Sequence, residues 1–311
     1  MAITSGNRLA VDGGQTGTRL RLSDVSGHVV AEHEAPGILT DRPILPQVAA
    51  FATELSERSG QPIGELALGL SGLTPAASRP DVLLAAVAPI GVRTVALAHD
   101  SVSGYLAANG SATGAMLAVG TGIVILAVSE TSVAKVDGWG YLVGDVGSGF
   151  WIGRAGLDAA MRAFDGRGDA TVLEEAARTR FGALDELYMV IQADERRVSL
   201  VASFARTVIE AATSGDAVAL RIVHAAATEM AHSATTALRR TGWLPGTPTR
   251  VGAVGAPVTR SELMRAALAD ALAAEAPGAV LAAALGEPID GVAALLDVPS
   301  DHPLSASILL A

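Results

Sequence analysis

The sequence contains no cysteine. This excludes disulfides, thiolate zinc sites, iron–sulfur clusters and cysteine nucleophiles. Positive charge is also scarce, because 22 lysine and arginine residues stand against 32 aspartate and glutamate residues, for a net charge of −10. Such a surface repels nucleic acid, and no basic cluster offsets the charge locally. We therefore expect no nucleic-acid partner.

Long apolar runs are absent as well. Residues 1–8 have no apolar core of signal-peptide length, and Gly, Pro, Asp or His interrupts the most apolar windows before they could span a bilayer. We therefore expect a cytoplasmic protein with no membrane partner.

One pattern occurs twice in the chain. A buried strand, a Gly-rich tip and a second strand lie at residues 9–23 and again at 115–129. Both copies continue in the order β-β-β-α-β-α-β, and the second carries a helical insertion between residues 157 and 237. With 311 residues, half of them apolar, the chain is long enough for two cores. The pattern predicts an α/β protein with domains 1–108 and 109–311, and it leaves open whether the last residues pack on the first domain.

The first Gly-rich tip, residues 12–18, has the composition of an anion-binding hairpin. Its glycines allow close approach to the backbone, and its hydroxyl and amide side chains offer donors. Asp12 at the strand end suits a hydrated Mg²⁺ ion. An ordinary Gly-rich turn is the alternative interpretation. The tip matches neither a Walker A motif, which needs a lysine, nor a dinucleotide fingerprint, because a strand follows it. The second tip, residues 120–122, offers the same donors at the equivalent place.

Asp100 lies just past a predicted strand at residues 94–98. Ligands gather at the carboxyl ends of strands in open α/β sheets. A carboxylate there can accept the proton of a sugar hydroxyl as the oxygen attacks a γ-phosphorus. N-capping of the next helix is the structural alternative. We interpret His99 as a packed or capping residue, because the six histidines have no metal-ligand spacing.

Residues 138–149 contain five glycines, one carboxylate and two aromatic side chains. So many glycines disfavour regular structure and indicate a loop that a ligand approaches. Asp145 is the candidate to bind two sugar hydroxyls, with an Asx turn as the alternative. The structural alternative for Trp139 is a plug in the hydrophobic core.

These segments, in this order, resemble the N-acetylglucosamine kinase branch of the actin-like ATPase superfamily, which includes the BadF/BadG-type ATPases. The resemblance extends over essentially the whole chain and is most specific at residues 138–153. It implies a duplicated actin-like (ribonuclease H-like) fold with an interdomain cleft, the cofactors ATP and Mg²⁺, and a small amino sugar as partner. Whether the protein forms a homodimer is left open.

The same resemblance implies roles for individual residues. Asp100 would be the catalytic base, Asp12 would order Mg²⁺ through water, and residues 251–257 and 289–295 would form the adenosine-binding end. The implied ATP and phosphate contacts are Gly13, Gly14, Gln15, Thr16, Thr18, Arg19, Gly120, Thr121, Gly122 and Gly255. The implied sugar contacts are Asp41, Ser71, Gly72, Asp100, Gly138 and Asp145.

Three departures from the family pattern bear on the substrate. Val146 replaces the usual Glu of Gly-Asp-Glu-Gly-Ser, Ile123 and Val124 stand where small polar residues are common, and Asp41 stands where an Asn is common. A carboxylate pairs with a cation. The added carboxylate therefore favours glucosamine, with N-acetylglucosamine as the alternative, and the resemblance implies that the phosphoryl group goes to the C6 hydroxyl.

Two other functions stay open. One is a nucleotide-dependent sugar sensor that hydrolyses ATP slowly, and the other is a kinase for a different polyol or amino-cyclitol. The presence of Asp100 favours a kinase over a sensor, because a sensor needs no proton acceptor at the sugar hydroxyl.

Overall fold

The structure is a computed structural model that describes residues 6–14, 17–39, 42–73 and 77–311. The first part of the chain forms β1 (Asn7–Gly13), β2 (Thr18–Ser23), β3 (Val29–Ala35), α1 (Ile44–Ser59), β4 (Ile63–Leu70), α2 (Pro80–Val87), β5 (Thr94–His99) and α3 (Asp100–Asn109). The middle part begins with β6 (Gly114–Val119), β7 (Ile123–Val128) and β8 (Val133–Asp137). It continues with α4 (Gly149–Phe164), α5 (Val172–Phe181), α6 (Leu187–Ala193), α7 (Arg197–Thr213), α8 (Ala217–Arg240), β9 (Thr249–Val254), α9 (Ala256–Thr259), α10 (Glu262–Glu275) and β10 (Ala279–Ala283). The chain ends with α11 (Pro288–Ala293) and β11 (Ile308–Leu310).

These elements form two compact units. The first unit comprises the chain up to Ala112 together with Glu130–Ser132 and Ala284–Ala311, and the second comprises Thr113–Ser129 and Val133–Ala283. The sequence left the place of the last residues open, and the structure puts them in the first unit, where β11 pairs with β5 in antiparallel fashion.

The two sheets repeat one topology. The first has the strand order β11-β5-β4-β1-β2-β3 and the second has the order β10-β9-β6-β7-β8. In each sheet a three-strand antiparallel meander is joined to two parallel strands. Each unit has its own buried core of Leu, Val, Ile and Ala side chains. The α/β class and the repeated strand order expected from the sequence are therefore confirmed.

Register in the first sheet brings three strand ends together. Gly13 of β1 lies opposite Leu70 of β4, and Leu70 lies opposite His99 of β5. Because the three strands run parallel, the residues after them emerge at one edge of the sheet. This edge carries the candidate groups of the first unit.

Some elements differ from those that the sequence pattern predicts. Helical periodicity predicts one helix over residues 256–274, but the structure has two, because Ser261 accepts a hydrogen bond from the backbone of Met264 and starts α10. The pattern also predicts a strand over residues 279–285, which ends at Ala283 in the structure, and it does not predict β11. Within the described residues, no helix has the length and hydropathy needed to cross a bilayer.

Candidate active site

The first Gly-rich hairpin is fixed on both sides by backbone hydrogen bonds. The amide of Gly14 donates to the carbonyl of Gly17 at 3.0 Å, and the amide of Ile38 donates to Gly14 at 2.9 Å. A Cβ added to Gly13 would lie 2.5 Å from Ile38 and 2.6 Å from Leu70. Gly13 is therefore required by packing, whether or not a phosphate binds beside it. The predicted contacts Gln15 and Thr16 lie outside the described residues.

Thr18 and Arg19, both predicted to contact phosphate, have partners within the protein. Thr18 is only 3% exposed, and its hydroxyl donates to the carbonyl of Pro36 at 2.9 Å. Arg19 forms ion pairs with Glu287 at 2.5 Å and with Glu32 at 3.4 Å. The Thr18 hydroxyl thus has a structural role, and Arg19 would have to exchange a carboxylate for a phosphate.

Ser71 and Gly72 continue from the end of β4. The amide of Ser71 donates to the carbonyl of Gly13 at 3.0 Å, which joins this turn to the hairpin. Gly72 has a positive φ of 68°. The predicted sugar contact Asp41 lies outside the described residues.

Two carboxylates lie at this edge of the first sheet. Burial raises the pKa of Asp12 to about 6, the nearby Asp100 carboxylate adds to the rise, and Arg19 opposes it. Asp100 is the first residue of α3 and is itself partly exposed. Two carboxylates that repel each other form a site that favours a proton or a cation.

His99, not Asp100, caps α3. Its Nδ1 accepts a hydrogen bond from the backbone of Ser101 at 3.1 Å and lies 2.9 Å from Oδ1 of Asp100. The structural alternative for Asp100, an N-cap, is therefore wrong. The Asp100 side chain therefore does not cap the helix; its carboxylate lies beside His99 and is partly exposed, so it can be reached from solvent.

The donor set around Asp12 and Asp100 fits Mg²⁺. Both groups offer carboxylate oxygens, which are hard ligands, and a divalent cation would relieve their repulsion. Among the described residues, no cluster of three or more Asp, Glu, His or Cys side chains could hold a metal by itself. Mg²⁺ would therefore be held through water and nucleotide phosphates as well as Asp12, as it commonly is in phosphotransfer sites.

The second hairpin is joined to the start of α4. The carbonyls of Gly120 and Thr121 accept hydrogen bonds from the amides of Gly149 and Phe150, at 2.9 and 3.0 Å. A Cβ added to Gly120 would have open space around it, whereas one added to Gly122 would lie 2.5 Å from Oδ2 of Asp145. Open space at Gly120 suits a ligand-facing position, and Gly122 allows Asp145 to approach the hairpin.

Asp145 is held beside this hairpin in a strained conformation. It has a positive φ of 57° and is 8% exposed, and its Oδ1 accepts from the amide of Gly140 at 3.3 Å. Burial raises the pKa of Asp145, and the Asp137 carboxylate adds to the rise, while the amides of Ile123 and Gly140 and the charge of Lys135 oppose it. A backbone strained in this way is common at functional sites.

Asp137 organises the loop, and we did not predict this role from the sequence. Its carboxylate accepts hydrogen bonds from the amides of Asp145 at 2.8 Å and Val146 at 3.1 Å. Asp137 also has a positive φ, 58°. An Asp-Gly pair at the end of a strand is a turn signal that could have indicated it. The next residue, Gly138, has a φ of 77° and completes this turn.

Trp139 does not plug the core, because 68% of it is exposed. The alternative offered by the sequence is therefore wrong. Its neighbours Leu142 and Val143 are also exposed, so the loop presents apolar surface to solvent.

The proposed adenosine-binding end has another explanation in this fold. Gly255 has a φ of 100°, and an added Cβ would overlap the carbonyl oxygen of Val119. In α11, Ile289 and Val292 are fully buried, and an added Cβ on Gly291 would overlap the carbonyl oxygen of Ser103. Packing accounts for this segment, so residues 289–295 are not an open adenosine surface.

Comparison with known proteins decides the family. The sequence profile of the BadF/BadG/BcrA/BcrD ATPase family matches residues 9–286. The chain belongs to this family. The N-acetylmuramic acid/N-acetylglucosamine kinase of Clostridium acetobutylicum is 35% identical over 103 residues. That alignment covers 32% of this chain and 34% of the relative, so the chain aligns with about a third of that protein.

Solved structures similar to this BadF/BadG-type chain share its fold. A candidate N-acetylglucosamine kinase from Chromobacterium violaceum has a TM-score of 0.74 at 24% identity, over 94% of this chain and 99% of that one. The ROK family glucokinase of Streptomyces griseus, in complex with glucose and AMPPNP, has a TM-score of 0.59 at 16% identity, over 94% and 98% of the two chains. The likeness confirms the duplicated actin-like fold expected from the sequence.

Proposed function

We propose that this chain is an ATP-dependent kinase that transfers the γ-phosphoryl group of ATP to the C6 hydroxyl of an amino sugar. The observation that carries the proposal is the position of Asp100. It lies at an edge of the sheet where the Gly13 hairpin, the Ser71 turn and a second carboxylate meet, and the helix cap is supplied by His99 instead.

In the proposed reaction, Asp100 accepts the proton of the sugar hydroxyl. The hydroxyl oxygen forms a bond to the γ-phosphorus, the bond from that phosphorus to the β–γ bridging oxygen breaks, and ADP leaves. Asp12 supplies an outer ligand for Mg²⁺, whose charge would stabilise negative charge on the phosphate oxygens. The partly exposed side chain of Asp100 leaves room for a hydroxyl to reach it.

The second unit carries candidate groups of its own. The Gly120 hairpin has room for phosphate oxygens near its backbone, and the Asp145 carboxylate binds sugar hydroxyls. The Gly140 amide donates to that carboxylate, and Asp137 accepts from the backbone amide of Asp145, so Asp145 is held in place before the sugar arrives. Such preorganisation reduces the cost of ordering the site on binding.

The two candidate acceptors are glucosamine and N-acetylglucosamine. The expectation of glucosamine depends on Asp41, which lies outside the described residues. The Clostridium relative and the Chromobacterium structure carry the name of N-acetylglucosamine instead. Both sugars are therefore tested side by side.

The test is a coupled assay of ADP release with Mg²⁺-ATP and a panel of glucosamine, N-acetylglucosamine, N-acetylmannosamine, glucose and an amino-cyclitol. We expect sugar-dependent ADP release with an amino sugar. Release at the same rate without any sugar would indicate an ATPase or sensor and would contradict the proposal. An Asp270→Asn variant, changed at an exposed residue of α10, controls for the loss of one negative charge.

A further inference from the structure

The chain has a single lysine. This residue is Lys135, whereas the full sequence contains 21 arginines. It lies on β8, two residues before Asp137 and ten before Asp145. The one primary side-chain ammonium of the protein thus adjoins the loop that carries the proposed sugar-binding carboxylate.

Contacts hold Lys135 along this loop. Its Cε lies 3.2 Å from the position that a Cβ on Gly138 would take, so the aliphatic stem packs on the turn. Its Nζ lies 5.7 Å from the centroid of the Trp139 ring, within the range of a cation–π interaction. Trp139 lies in turn against Gly144, where an added Cβ would be 2.9 Å from the Trp139 Cβ. Gly144 directly precedes Asp145.

The charge of Lys135 reaches the Asp145 carboxylate. Burial and Asp137 raise the pKa of Asp145, and Lys135 opposes the rise. The other charged group recorded at this residue is Arg240, which donates to the carbonyl of Lys135 at 2.8 Å. Arg240 bonds the backbone of Lys135, so a side-chain variant that keeps the apolar stem removes one charge without removing that hydrogen bond.

We propose that Lys135 is a specificity-determining residue that disfavours a free ammonium group on the acceptor sugar relative to a neutral acetamido group. This inference rests on the proposed function, in which Asp145 holds the acceptor. A ligand bound to Asp145 lies in the field of the Lys135 ammonium, which Trp139 keeps near the loop. Glucosamine carries a second cation into that field, whereas N-acetylglucosamine does not.

The experiment compares kcat/KM for the two sugars in wild type, Lys135→Met and Lys135→Arg. Methionine keeps the length and apolar stem without the charge, and arginine keeps the charge. We expect the kcat/KM for glucosamine, divided by that for N-acetylglucosamine, to rise about two- to tenfold in Lys135→Met. This is the size of effect expected when one charge several ångströms from the ligand is removed in partly solvated surroundings. The ratio should stay within twofold of wild type in Lys135→Arg, and the effect of Lys135→Met should shrink at high salt.

A readout independent of turnover accompanies the kinetics. Calorimetric binding of both sugars, with a non-hydrolysable ATP analogue present, should give the same shift in the ratio of affinities. An unchanged ratio in Lys135→Met, by kinetics and by binding, overturns the inference even if wild type phosphorylates both sugars. Absence of sugar phosphorylation by wild type contradicts the proposed function instead, so the two failures are distinguishable.

Discussion

The two units present the same motif, a Gly-rich hairpin with a carboxylate beside it, but they hold it differently. In the first unit burial raises the pKa of Asp12, and repulsion from the Asp100 carboxylate adds to the rise. In the second unit backbone amides hold Asp145, and Asp137 fixes the backbone around it.

This difference separates two chemical tasks. A buried carboxylate beside a second carboxylate favours a proton or a divalent cation, which suits acid–base work beside a phosphate. A carboxylate held by backbone amides stays oriented and suits the binding of hydroxyl groups. A repeated sequence motif can therefore have a different role in each copy.

The largest expected effect is that of Asp100→Asn. Loss of the proton acceptor should lower kcat by about 10²- to 10⁴-fold while nucleotide and sugar affinity stay within several-fold of wild type. Steady-state kinetics and calorimetry check this, with Asp270→Asn as the charge-matched control. A kcat equal to wild type would remove Asp100 from the mechanism.

Asp137→Ala tests the second unit. Two backbone amides lose their acceptor, so we expect a lower free energy of unfolding by about 2 to 4 kcal/mol and a raised KM for the sugar. Urea unfolding and kinetics measure both. Asp137→Asn keeps one acceptor oxygen and should recover part of the loss; equal effects of the two variants would contradict the role given to these hydrogen bonds.

The sequence was sufficient to predict the repeated α/β fold and the positions of Asp100 and Asp145, because strand periodicity and Gly-rich tips are local signals. It could not reveal that the Thr18 hydroxyl is bound to Pro36, or that Gly13 and Gly255 are packed against other strands and loops. It also missed Asp137, whose partners are backbone amides eight and nine residues away. Such contacts depend on tertiary structure, so the hydrophobic pattern of the sequence does not predict them.

The raised pKa of Asp12 predicts a pH-dependent stability. The folded pKa of about 6 exceeds the ordinary aspartate value of 3.8, so the folded state binds more protons and stability falls as pH rises between these values. Asp12→Asn should therefore be more stable than wild type by about 2 to 3 kcal/mol at pH 8 without Mg²⁺, and by little at pH 4. Urea unfolding at both pH values measures the difference. An equal difference at pH 4 and pH 8 would contradict the raised pKa that burial and the Asp100 carboxylate give Asp12.

A pair of glycine variants gives the smallest effect and sharpens the contrast within the second hairpin. Gly122→Ala forces Asp145 away from the hairpin and should raise the KM for the sugar by about tenfold, since one well-placed hydrogen bond is worth about 1.5 kcal/mol. Gly120→Ala enters open space and should leave the sugar KM and the stability unchanged while weakening ATP binding. If Gly120→Ala raised the sugar KM and Gly122→Ala weakened ATP binding instead, the roles assigned to Gly120 and Gly122 would be wrong.

The most direct test of the account is identification of the product. Wild-type protein is incubated with Mg²⁺-ATP and each amino sugar, and phosphorus NMR and mass spectrometry follow the transferred group. The account predicts a phosphomonoester at the C6 oxygen, formed in equal amount to ADP and formed about 10²- to 10⁴-fold more slowly with Asp100→Asn. Formation of ADP and inorganic phosphate, with no phosphorylated sugar from any amino sugar, would contradict it.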